Sequence, residues 1–173
     1  MKTVLLALIT ASSLASSAAL ALNVGENAKL PVVRDATGST IDFAANKGKW
    51  QVIYFYPAVF TGGCTAEAHA YTELMESFKA ANAIVYGVSS NSADKQLAFI
   101  KANDLKMIML PDTKRVLGAA LGVQNMGGWY NRDTVLIDPQ GKIAQIRRDV
   151  NPMQDAKIAL EFIRENSIKK NSG

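Results

Sequence analysis

Only one cysteine, Cys64, and one histidine, His69, occur among the 173 residues. The first scarcity excludes an intramolecular disulfide, a Cys-x-x-Cys redox pair and any multi-cysteine zinc or iron–sulfur centre. The second removes histidine-rich metal sites and argues against a Cys–His–Asp protease triad. No run of five or six like charges appears, and the formal charge is only +4, so a concentrated basic face for nucleic acid is not expected. With 12 Gly, 5 Pro and 49% hydrophobic residues, neither a disordered nor a fibrous chain fits. What remains is a chain able to bury a core in one domain; two full domains would be cramped.

The N-terminus reads as a processing signal. Lys2 precedes the apolar stretch Val4–Ile9, and small residues lead to Ala19-Leu20-Ala21, an A-x-A cleavage pattern. Residues 1–21 are therefore expected to be a cleaved secretory signal and 22–173 the functional domain, exported to the periplasm or secreted, without membrane attachment after cleavage. An uncleaved anchor is the rival reading, but Thr10, Ser12, Ser13, Ser16 and Ser17 interrupt the stretch, and a spanning helix prefers about 20 mostly apolar residues. The absence of a cysteine near the cleavage site argues against a lipoprotein. Export normally invites disulfides, so a lone thiol in the mature chain needs a reason.

Beyond Asn23 the chain shows no repeat or linker. Leu30–Arg34 and Thr40–Phe43 flank a turn-rich cluster and predict a hairpin. Trp50–Tyr56 and Ala83–Ser89 read as buried strands, the first stopped by Pro57. Tyr71, Leu74, Met75 and Phe78 fall at i, i+3, i+4 and i+7, which predicts one apolar helical stripe. A helix is expected over Ser92–Ala102 with Ser92 as cap, a strand over Lys106–Leu110, and a helix capped by Asp112 that runs to Leu121 and stops at Gly122. Asp133–Ile137 and Lys142–Arg148 flank a Pro/Gly turn and predict a second hairpin, followed by a closing amphipathic helix over Asp155–Glu165. Strands alternating with helices, plus a late hairpin, give an α/β fold with a mixed central sheet flanked by helices, for which a thioredoxin-like arrangement is the natural candidate.

Cys64 stands where the Trp50–Tyr56 strand gives way to a helix. A helix N-terminus exposes unpaired N–H groups and carries partial positive charge, which favours a thiolate. A free thiol of pKa about 8.5 needs roughly 3.4 kcal/mol to reach a pKa of about 6, whereas a helix terminus supplies about 0.3–1 kcal/mol and occasionally 2. A cationic partner is therefore expected. Gly62 and Gly63 allow close approach of backbone amides, and the Thr61 hydroxyl can bind an oxygen held beside the sulfur.

The stretch Phe55–Glu67 resembles the peroxiredoxin signature P-x-x-x-[TS]-x-x-C, met by Pro57, Thr61 and Cys64. The segments C-T-A-E-A (Cys64–Ala68), V-Y-G-V-S (Val85–Ser89) and R-D-T-V-L-I-D-P-Q-G-K (Arg132–Lys142) are similar to the bacterioferritin comigratory protein, or peroxiredoxin Q, branch. The resemblance spans Asn23 to Glu165. It implies that Cys64 is the peroxidatic cysteine, that Thr61 and Arg132 bind peroxide, and that Pro57 shields the thiolate. Arg132 also answers the need for a cation, since its fork of donors can serve sulfur and oxygen together. Many members of that branch carry a resolving cysteine five residues after the first; His69 stands there in this chain. The resemblance thus implies a one-cysteine peroxidase for hydrogen peroxide and small organic hydroperoxides, working without metal, haem or flavin. Its sulfenic acid would be reduced by an external thiol: a thioredoxin-like protein, a glutaredoxin or a small thiol. A monomer or weak dimer is expected. A thiol–disulfide reductase and a non-catalytic thioredoxin-like binding module are the alternatives.

Several neighbours admit plainer readings. Thr61 can cap the helix. Glu67 is read first as a carboxylate complementing the helix dipole, ahead of a role in orienting an arginine. His69 is about 500° along the helix from Cys64, about 140° away around the axis, and is expected to face elsewhere. Gly127-Gly128-Trp129-Tyr130 can form an aromatic wall of the peroxide pocket or ordinary loop packing.

Overall fold

The computed structural model describes residues 22–171; the expected signal segment 1–21 lies outside them. In chain order the elements are β1 (Val33–Arg34), β2 (Thr40–Ile41), a 3-10 turn (Phe43–Asn46), β3 (Trp50–Phe55), α1 (Gly62–Glu73), α2 (Met75–Ala80), β4 (Ala83–Ser89), α3 (Ala93–Asn103), β5 (Ile108–Pro111), α4 (Val116–Ala120), β6 (Asn125–Met126), β7 (Trp129–Tyr130), β8 (Thr134–Ile137), β9 (Ile143–Arg147) and α5 (Asp155–Asn171). Strands β5-β4-β3-β8-β9 form one sheet. The β3–β4 and β4–β5 pairs are parallel, while β8 and β9 add antiparallel strands on the other side.

The period-2 alternation of β3 divides the core. Trp50, Val52, Tyr54 and Tyr56 pack with Cys64, Ala68, Tyr71 and Phe78 of α1 and α2 and with Ala159 and Ile163 of α5. Ile53 and Phe55 face the opposite layer with Tyr86, Val88, Leu117, Leu121 and Tyr130. Both faces of the central strand are thus covered, which is why β3 is buried throughout and reads as a continuous apolar run. The free rims are covered as well. Ala36 N–H donates to Met109 O on β5, and Asn27 bridges Lys142 while Ile143 N–H donates to Glu26 O beside β9.

Several expectations are corrected. The predicted single stripe across Tyr71–Phe78 is two helices, because the chain tightens at Leu74, whose N–H bonds Tyr71 O three residues back. Ser92 does occupy the cap position of α3, as expected, though its side chain makes no cap bond. Asp112 does satisfy donors of α4, taking Val116 N–H at 2.8 Å and Gly118 N–H at 2.9 Å, but from four residues before the helix begins, with Arg115 in the cap position. The closing helix extends well past Glu165.

Candidate active site

Topology places the site. Cys64 follows the C-terminal end of β3, and Arg132 precedes β8, the antiparallel neighbour of β3, so both lie at the same end of the sheet. The ladder continues to that end through a bond from Phe55 N–H to Asp133 O at 2.7 Å, and Val150 N–H holds Arg132 O at 2.8 Å. The segment that enters α1 is fixed by Val59 N–H donating to Asn91 Oδ1 at 3.0 Å. Phe60 adopts a left-handed φ of 60°, a conformation costly for an aromatic residue, and its ring packs edge-on against Phe99 at 5.2 Å.

Cys64 Sγ, in the first turn of α1, is buried at 1% exposure and accepts a hydrogen bond from Arg132 Nη2 at 3.3 Å. Arg132 Nη1 donates to Glu67 Oε2 in a close ion pair. One guanidinium therefore spans the sulfur and a carboxylate, the fork geometry a lysine lacks. Glu67 lies one turn after Cys64 and is 0% exposed. Its dipole-complementing reading is corrected: the side chain turns inward to hold Arg132. A carboxylate on the buried i, i+3, i+4, i+7 face shared by Cys64, Ala68 and Tyr71 was the available signal, since such a group demands a cation.

Burial pushes the Glu67 carboxyl up to about 8, against the pull of Arg132, while Glu67 and Cys64 raise Arg132 above its ordinary value against its own desolvation. The upward displacement of Glu67 is the firmer direction, because complete removal from water outweighs one contact; Arg132 is cationic in either case.

Thr61 caps α1 through its backbone, its carbonyl accepting Thr65 N–H at 2.9 Å. Its exposed hydroxyl makes no cap bond and donates to Ala58 O at 3.2 Å. A Cβ on Gly63 would make an ordinary contact, 3.4 Å from Arg132 Nη2, and one on Gly62 would meet open space, so side-chain crowding demands glycine at neither position. Pro57 is half-buried at the end of β3, and His69 is exposed. Tyr130 lies on the far face of the sheet, edge-on to Phe55 at 5.1 Å with its hydroxyl on Asp112 Oδ2 at 2.7 Å, and Trp129 is 51% exposed. Of the two readings open for this segment, Tyr130 therefore follows the packing one and builds no aromatic wall at the sulfur. A surface cavity of about 850 Å³ is lined by Trp50, Asn82 and Phe162 at the opposite end of β3 and has no part in this arrangement.

Residues 24–146 match the AhpC/TSA family. The chain is 31% identical over 157 residues to "Peroxiredoxin Bcp" of Bacillus subtilis (strain 168), covering 87% of this chain and 100% of that protein. Among solved structures it is similar to "Peroxidoxin BcpB" from Mycobacterium tuberculosis, with a TM-score of 0.77 and 25% identity over 83% of this chain and 97% of the other. It is also similar to the bacterioferritin comigratory protein of Xanthomonas campestris, with a TM-score of 0.75 and 28% identity over 84% and 97% of the two chains. A buried thiol facing an arginine on this frame, together with these matches, places the chain in the AhpC/TSA family as a peroxiredoxin, a thiol-dependent peroxidase.

Proposed function

We propose that the protein is an exported one-cysteine peroxidase, with residues 1–21 a cleaved signal and 22–173 the working domain. Its substrates are hydrogen peroxide and small organic hydroperoxides. The Cys64 thiolate attacks the terminal peroxide oxygen; an S–O bond forms as the O–O bond breaks, and sulfur gives up two electrons. The departing hydroxide or alkoxide takes a proton and leaves as water or alcohol, and Cys64 becomes a sulfenic acid. Arg132 stabilises the thiolate and the charge developing on the leaving oxygen. Thr61 presents its exposed hydroxyl to the bound peroxide, and Pro57 shields the sulfur from water.

Because Cys64 is the only cysteine, no intrachain disulfide can follow. An external thiol condenses with the sulfenic acid, releasing water, and a second thiol attacks the outer sulfur of the mixed disulfide, which forms the oxidised thiol dimer and returns Cys64 as a thiol. A thioredoxin-like protein, a glutaredoxin or a small thiol meets this need. The observation that carries the reading is the 3.3 Å contact from Arg132 Nη2 to the sole sulfur nucleophile. Stopped-flow peroxide consumption with excess thiol tests it: Cys64→Ser is expected to abolish the reaction, and equal slow consumption by both proteins refutes it. Mass spectrometry after one equivalent of peroxide is expected to show one added oxygen on Cys64 and a chain beginning at Leu22.

A further inference from the structure

One fully buried carboxylate near the site belongs to no part of the mechanism above. Asp155, the first residue of α5, is fully buried beneath the Cys64 helix. Its Oδ2 accepts hydrogen bonds from Tyr71 Oη at 2.5 Å and from Thr134 Oγ1 at 2.7 Å. Arg147 Nη2 from β9 lies 2.8 Å from its Oδ1, an ionic contact off the line of a hydrogen bond. One carboxylate thus gathers α1, β8, β9 and α5.

Two of those anchors sit in register with the reactive pair. Tyr71 lies seven residues after Cys64, two turns on the same face of α1 and about 10.5 Å along its axis. Thr134 lies two residues after Arg132, on the strand that carries it toward the sulfur. Burial and the facing Asp155 carboxylate push the Tyr71 phenol far above its ordinary range, which keeps it a donor. The stacked Tyr54 ring, 4.2 Å away at 12°, leaves the phenol little freedom to swing. A purely structural need to fill this space is met by apolar side chains at no desolvation cost; a charged carboxylate bridging two hydroxyls fixes position as well as occupancy.

We propose that Asp155 is a positioning residue, which sets the register between the helix bearing Cys64 and the strand following Arg132 by binding Tyr71 and Thr134 through a single oxygen. This rests on the peroxidase reading of Cys64 and Arg132. Glu67 fixes the arginine head group at the sulfur, and Asp155 fixes the backbones that carry the two partners. Without Asp155 the grip of Glu67 on the guanidinium and the β3–β8 ladder remain, but the helix bearing Cys64 loses its side-chain tie to β8, and misplacement by about 1 Å can cost about 100-fold in rate.

The test uses Tyr71→Phe and Thr134→Val, which delete one hydroxyl each with little change of shape, beside Asp155→Asn. Two readouts are taken on the folded full chain: the rate of Cys64 oxidation by hydrogen peroxide, and the pH dependence of Cys64 alkylation by iodoacetamide. Each hydroxyl deletion is expected to slow peroxide oxidation several-fold and to displace the alkylation profile toward higher pH, with Asp155→Asn slower by about tenfold or more. A lowered melting temperature with both readouts unchanged in Tyr71→Phe and Thr134→Val overturns the proposal, since a merely structural network would behave so. If the wild type consumes no peroxide, the peroxidase reading fails by itself, and the alkylation profiles still decide whether Asp155 positions Arg132 against the sulfur.

Discussion

Arg132→Ala removes the cation that contacts Cys64 and unpairs Glu67 in the same step. The bond from Nη2 to Sγ is charge-assisted, a class worth about 1.5–3 kcal/mol, and at about 1.4 kcal/mol per decade its loss corresponds to a rate lower by between about 10-fold and 150-fold. Stability responds differently. A buried carboxylate stripped of its partner typically costs about 3–5 kcal/mol, but Glu67, already pushed up to about 8 by burial, takes a proton instead and avoids most of that cost. Thus the variant is expected to be folded, moderately destabilised and slow. Arg132→Lys discriminates further: a single ammonium can approach the sulfur or Glu67 but lacks the planar fork that serves both, so an intermediate rate is expected. Single-turnover stopped flow of Cys64 oxidation by hydrogen peroxide, on protein whose near-ultraviolet circular dichroism is native, measures the effect. A wild-type rate in folded Arg132→Ala would show that the 3.3 Å contact contributes nothing to the chemistry and would refute the assignment.

Glu67 also makes folding stability depend on pH. Its folded-state pKa of about 8 stands above its ordinary 4.5, so the fold favours the protonated form. That contribution is complete below about 4.5 and is lost as pH rises through about 8. Urea denaturation is therefore expected to show the wild type losing stability relative to Glu67→Gln across this window, by no more than about 1.4 kcal/mol per pH unit; a difference that is flat or rises with pH contradicts the burial argument. A Cβ at Gly118 would overlap the Tyr130 ring, which Asp112 holds in place. Overpacking of this kind costs about 1–3 kcal/mol, so Gly118→Ala is expected to lower the melting temperature by several degrees, and an unchanged temperature would mean that the ring moves freely.

Where local pattern and tertiary demand coincided, the sequence was easy to read. The Ala83–Ser89 strand is observed with the expected bounds and Trp50–Tyr56 ends one residue earlier, because both are covered on two faces and their apolar runs admit no other use. The late hairpin follows from its Pro/Gly turn. The break at Leu74 was not legible, since Tyr71, Met75 and Phe78 keep helical spacing across a single tightened turn. The β6–β7 ribbon was hidden because its turn rests on positive φ at Gly127 and Gly128, which the glycines permit without signalling it. At the site, the strand-to-helix position of Cys64 and the need for a cation could be reasoned from residue types. The gathering of Tyr71, Thr134 and Arg147 on Asp155 could not, because these residues come from four separate elements and meet only through the fold.

The N-terminal segment leaves little of the sheet available to strangers. At one rim Ala36 already occupies a carbonyl of β5, and Pro111 ends that strand without an amide hydrogen to offer; at the other, residues 25–28 claim the start of β9. An unguarded strand edge templates intermolecular pairing, so this covering discourages cross-β stacking between copies. Reversible self-association would then be left to side-chain surfaces, and a truncation reaching past Ala28 would bare the start of β9 to a strand from another copy.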